Sequence, residues 1–118
     1  MLSKKVQDKA ASVGFDWDNI QGPIDKISEE FQEVLDAWKE FGKSNDNVEK
    51  ELGDLLFAVV NLSRFLDVNP EVALNRTIKK FIKRLEFMEF NTHKMGKDLR
   101  DMTLEEMDIL WNEAKGSD

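Results

Sequence analysis

Residues 49–62 read EKELGDLLFAVVNL, and this stretch decides how the chain folds. Its apolar positions, extended to Val48, Leu52, Leu55, Leu56, Val59, Leu62 and Leu66, recur at helical spacing, while Phe57, Ala58 and Val60 fill the other sides. A helix that is apolar nearly all round is expected at the centre of a helical protein. At its polar mouth stand Glu51 and Asp54, three residues apart and therefore on one side of the helix. An unpaired negative charge at the edge of a greasy segment is costly to keep, and a hard cation would offset that cost.

Outward from this helix the punctuation is local. Upstream, KSNDN (43–47) makes a turn in which Ser44 or Asp46 supplies the cap. Before it, Pro23 suits the first turn of a helix carrying Ile24, Ile27, Phe31, Leu35 and Trp38, which Gly42 ends. Leu2, Val6 and Ala10 to Val13 form a short amphipathic helix that stops at Gly14. FDWDNIQG (15–22) then reads as an ordered loop whose Phe15 and Trp17 plug a core edge.

Downstream, Asn69 and Pro70 mark the cap and first position of a further helix carrying Leu74, Ile78, Phe81, Leu85 and Met88, which fades near Asn91. Thr103 and Glu106 have capping-box spacing for a last helix through Met107, Leu110 and Trp111. The expectation is an all-α antiparallel helical bundle of four main helices plus a short N-terminal helix, forming one domain over 1–118. Phe57, Val60 and Trp38 leave more apolar surface than one helical layer covers, so a homodimer is expected to complete the bundle. Gly53, inside a helix, suggests close approach of a neighbouring backbone.

Composition narrows the function classes. A chain of 118 residues suffices for one domain with a real core. A net charge of -7, with both signs interspersed, gives no footprint for a nucleic-acid polymer or an anionic membrane. No apolar run approaches the roughly 20 residues of a membrane span, and the start lacks the apolar core of a signal peptide. A cytoplasmic protein is the default. Cysteine is absent, which excludes disulfides and thiolate metal sites.

Four carboxylates carry the chemistry. Residues three apart on a helix differ by about 60° in direction, so Glu30 and Glu33 can converge on one point, as can Glu51 and Asp54. If their two helices are antiparallel neighbours, both pairs face one ion, and a carboxylate-only set suits magnesium, or manganese as a substitute, better than zinc or copper. Two bland readings stand beside this one. Glu30 and Glu33 also fit a solvated acidic face, and Glu51 and Asp54 also fit the helix-dipole preference for acids near a helix start. Lys80 and Arg84, four apart, read either as a solvated basic face or as a clamp on phosphate oxygens. The single His93 cannot build the two Glu-x-x-His motifs of a di-iron bundle. The three tryptophans read as core or interface anchors, or as a platform for a nucleobase.

Taken together, KAASVGFDWDNIQGPIDKISEEFQEV (9–34), EKELGDLLFAVVNLSRFL (49–66) and ALNRTIKKFIKRLEFME (73–89) resemble the catalytic helical domain of MazG-type nucleoside triphosphate pyrophosphohydrolases. An EExxE pattern falls on Glu29, Glu30 and Glu33, ExxD on Glu51 and Asp54, and a KFxxR-like segment on Lys80, Phe81 and Arg84. The resemblance implies an all-α, magnesium-dependent, dimeric enzyme that cuts nucleoside triphosphates to monophosphate and pyrophosphate in nucleotide-pool house-cleaning. By position, Glu30, Glu33, Glu51 and Asp54 would bind magnesium, Glu29 would be a further acid that orients water, and Lys80 and Arg84 would hold phosphate. Trp111 matches a tryptophan near the family's nucleotide pocket.

Two positions depart from the family pattern: Ile78 replaces an Asn, and Asn47 replaces a basic residue one turn before Glu51. They leave a second reading, a catalytically weak nucleotide-binding or dimerisation module of the same fold.

Overall fold

The computed structural model describes all 118 residues, and the fold is all-α. Five helices, α1 (Leu2–Ser12), α2 (Gln21–Phe41), α3 (Asp46–Phe65), α4 (Pro70–Lys94) and α5 (Leu104–Gly116), are joined by loops and one 3-10 turn at Leu99–Asp101. By internal contacts the chain divides into two compact units, Met1–Glu71 and Val72–Asp118.

In the first unit the four residues between α2 and α3 leave room only for a tight reversal, so the two helices pack as an antiparallel hairpin. Gly42 ends α2 at φ 78°, a left-handed conformation that costs glycine nothing, and its N–H closes on the carbonyl of Trp38. The cap of α3 is Asn45, between the two residues expected: its Oδ1 accepts the Asn47 N–H at 2.8 Å, whereas Ser44 takes a left-handed φ of 59° in the turn. Helix α1 lies against α3, pinned where Gln7 Nε2 donates to the Phe57 carbonyl at 2.9 Å. Arg64 adds a second tie, donating from Nη2 to Asp16 Oδ1 at 2.6 Å.

Three sequence expectations fail in this unit. Helix α3 is not buried all round: Ala58 and Val60 are buried, whereas Leu52, Leu56, Phe57 and Val59 remain exposed. Two partner helices cover only one arc of its circumference. Phe15 is 81% exposed and Trp17 47%, so the loop after α1 does not plug the core. A Cβ added to Gly53 would meet nothing within 4 Å, so no neighbouring backbone approaches there. The glycine that does mark a close approach is Gly22, where an added Cβ would lie 2.6 Å from the Trp17 indole.

At the end of the first unit Asn69 and Pro70 open the long helix as expected, Asn69 Oδ1 accepting the Glu71 N–H at 2.9 Å, and α4 runs on through the second unit, past Asn91 to Lys94. The buried positions there are Met88 and Thr92 on α4 and Leu110 and Ala114 on α5. Thr92 is fully buried, and its hydroxyl is satisfied by the Met88 carbonyl at 2.7 Å. The capping box at Thr103 and Glu106 is complete in both directions. No helix is long and apolar enough to cross a membrane.

Candidate metal centre and phosphate-binding residues

Helices α2 and α3 bring the predicted acids together. Carboxylate oxygens of Glu30, Glu51 and Asp54 lie within 4.8 Å of one another, and those of Glu29, Glu30 and Glu33 form a second such group. Glu30 belongs to both. It is only 4% exposed, whereas Asp54 is exposed and Glu51 half-buried. This reverses the expected ranking, in which Glu51 and Asp54 posed the burial problem and Glu30 fitted a solvated face. Glu30 is buried because its side of α2 is the one pressed against α3.

One oxygen of Glu30 is neutralised and the other is not. Oε1 pairs with Lys26 Nζ at 2.7 Å, one turn earlier on α2. Oε2 is buried without any hydrogen-bond partner. The Lys26 hydrogen bond holds the Glu30 carboxyl below the usual range despite the opposing effect of burial. Lys26 also reaches Glu29 at 3.5 Å. Sequence reasoning passed over Lys26, although its i, i+4 spacing to Glu30 was visible.

Glu33 carries the opposite shift. Its interaction with the Glu30 carboxylate, reinforced by desolvation and by the negative charges of Glu30 and Glu51, pushes it up to about 7. A proton shared among these acids is what like charges require when no cation separates them. The orphaned Oε2 and the all-carboxylate donor sets fit a hard, oxygen-loving divalent cation, which either Glu30, Glu51 and Asp54 or Glu29, Glu30 and Glu33 could hold.

The basic and aromatic residues gather in the second unit. Arg84, on α4, has its guanidinium 5.3 Å from the Trp111 ring, and Phe81 meets the same ring at a centroid distance of 5.1 Å. Arg84 Nε donates to Asp118 Oδ2 at 2.7 Å, and Nη2 reaches the same oxygen. An Arg fork that already grips a carboxylate from two nitrogens has the geometry to grip phosphate oxygens. Lys80 lies one turn before it and is exposed.

The sequence pattern described as "MazG nucleotide pyrophosphohydrolase domain" matches residues 20–88, more than half of the chain. The chain belongs to the MazG family. It is 42% identical, over 99% of its length, to the protein named nucleoside triphosphate pyrophosphohydrolase/pyrophosphatase MazG of Thermotoga maritima. The nucleoside triphosphate pyrophosphohydrolase of Escherichia coli K12 is 36% identical over 98% of it. The uncharacterized protein YabN of Bacillus subtilis is 49% identical over 58%. The chain spans 44% of the length of each of the first two relatives and 14% of the third. The MazG match includes all five acids, Lys80 and Arg84, and the two longer alignments cover nearly the whole chain.

Proposed function

We propose that this chain is a single MazG-type catalytic domain that hydrolyses nucleoside triphosphates to the monophosphate and pyrophosphate with magnesium, manganese being a possible substitute. The observation that carries the reading is the Glu30, Glu51 and Asp54 cluster, whose innermost carboxylate keeps one buried oxygen unpartnered. The names of the Thermotoga and Escherichia relatives point to the same reaction.

In the mechanism the water oxygen attacks the α-phosphorus and the bond from that phosphorus to the α–β bridging oxygen breaks. Pyrophosphate then leaves on the far side. A cation, when bound, would supply charge that screens the triphosphate and acidifies water. Glu30, Glu33, Glu51 and Asp54 would hold it, and Lys26 keeps Glu30 ionised by occupying Oε1. Glu29, exposed beside them, orients the attacking water and takes its proton. Lys80 and Arg84 bind phosphate oxygens and offset the charge that grows on the leaving group, and Trp111 contributes apolar surface to nucleotide binding. Arg84 must exchange Asp118 for phosphate to do so.

A homodimer acting on the cytoplasmic nucleotide pool completes the proposal. Its support is the apolar surface left open on the first unit: Phe31 and Trp38 along α2, and Leu52, Leu56 and Val59 along α3, all at least 45% exposed. The alternative of a nucleotide-binding module without turnover draws on Asn47, whose side chain is spent on the Asn45 cap where the family pattern has a basic residue.

The test is Asp54→Asn. Asp54 is exposed, so the variant keeps its helix content and melting behaviour while pyrophosphate release falls by roughly a hundredfold or more, the scale of losing a transition-state charge contact. Near-normal turnover would remove Asp54 from the metal set. Equilibrium nucleotide binding by the wild type without any product would favour the silent module.

A further inference from the structure

A cavity of about 380 Å³ opens between α1, the loop after it and α3, and no part of the proposed mechanism uses it. Phe15, Trp17 and Phe57 give it aromatic walls, and Gln7 and Asn61 give it carboxamides. Gln7 is 6% exposed; its Nε2 is committed to the Phe57 carbonyl, and its Oε1 is buried with no partner. A buried acceptor left unmatched calls for a donor, which an ordered water or a bound ligand can supply.

The cavity is also placed by the metal centre. Phe57 and Asn61 follow Asp54 on α3 by three and seven residues, about 4.5 and 10.5 Å along the helix axis and within roughly 60° of its direction. The cleft therefore begins one turn beyond the carboxylates, on the side of the helix that Asp54 faces. A planar ligand with two stacking faces and an edge of N–H and carbonyl groups matches aromatic walls combined with carboxamides. This is the chemistry of a nucleobase. The three aromatic side chains are 46–81% exposed, as stacking surfaces must be before the ligand arrives.

We propose that this cleft takes the base of the nucleotide, stacked on Trp17, Phe15 or Phe57, with its hydrogen-bonding edge toward the Gln7 carboxamide, and that these residues set base preference. The inference rests on the proposed reaction for its ligand class. It places the base against the wall between α1 and α3 and leaves Trp111 to the rest of the nucleotide.

The experiment uses nucleosides, which lack phosphate and so report on the cleft independently of metal and turnover. Indole N–H resonances of the three tryptophans are followed by NMR as adenosine, guanosine, cytidine or thymidine is added, Trp17→Phe identifying the Trp17 signal. At least one nucleoside is expected to move the Trp17 resonance saturably. For the corresponding triphosphate, Trp17→Leu then raises KM by roughly tenfold, the scale of one lost base–aromatic stack. Its thermal shift with magnesium stays at the wild-type size. Gln7→Met, which keeps the packing volume against α3, narrows the discrimination between nucleosides. Nucleosides that leave Trp17 unmoved, or move only Trp111, overturn the assignment. So does a Trp17 signal that follows protein concentration alone, because the cleft is then covered by a second copy. Nucleoside binding at Trp17 in a protein that releases no pyrophosphate would instead sink the reaction and leave the cleft standing.

Discussion

Glu30 and Glu33 sit three residues apart on one helix, yet their protons behave in opposite ways. Lys26 supplies Glu30 with a countercharge and holds its carboxyl below the usual range, whereas Glu33 meets only acids and is pushed up to about 7. Without metal, the folded protein therefore keeps a proton on Glu33 that the unfolded chain gives up near 4.5. Between those values the folded state binds more protons than the unfolded state, so stability falls as pH rises across the window. Denaturant melts in a chelating buffer at pH 5, 6 and 7 should show this decline in the wild type and a flatter profile in Glu33→Gln. An identical slope in both proteins would show that Glu33 titrates normally. The spacing of these acids was legible in the sequence. Their unequal burial was not, because it depends on which arc of α2 meets α3.

Element boundaries were the most legible level, since helix ends are set by local chemistry. Asn69 with Pro70, Gly42, and Thr103 with Glu106 act through their own backbone neighbours, and each sits where the sequence places it. The interiors were less legible. The apolar circumference of α3 predicted burial on all sides, and Phe15 and Trp17 looked like core residues, but burial is decided by partners that periodicity does not reveal. Two caps give tests. Asn45→Ala removes the acceptor for the Asn47 N–H and should cost about 1 kcal/mol in urea denaturation. A change below about 0.3 kcal/mol would mean that water caps α3 equally well. On α5, the backbone N–H and hydroxyl of Thr103 hold Glu106 below its ordinary 4.5. The ionised form is thus favoured in the folded state, so its contribution is present above pH 4.5 and fades as pH falls through the lowered value. Glu106→Gln should lack that acid-side loss in a pH series of melts, and a wild-type-like loss would place the effect elsewhere.

For the molecule as a whole, the proposed cation site and the proposed dimer both draw on one hairpin: the open apolar stripes lie on α2 and α3, and the acid cluster lies between the same two helices. Leu56, 59% exposed on α3, tests the association. Leu56→Glu should shift the protein from dimer to monomer in sedimentation at micromolar concentration without loss of helix content. A wild type that sediments only as monomer would contradict the dimer itself. The reaction is tested most directly by turnover of a nucleoside triphosphate in ¹⁸O-labelled water with magnesium, with mass analysis of both products. The account predicts one ¹⁸O in the monophosphate, none in the pyrophosphate, and no turnover in Asp54→Asn. Label in pyrophosphate, or release of orthophosphate in its place, would contradict it.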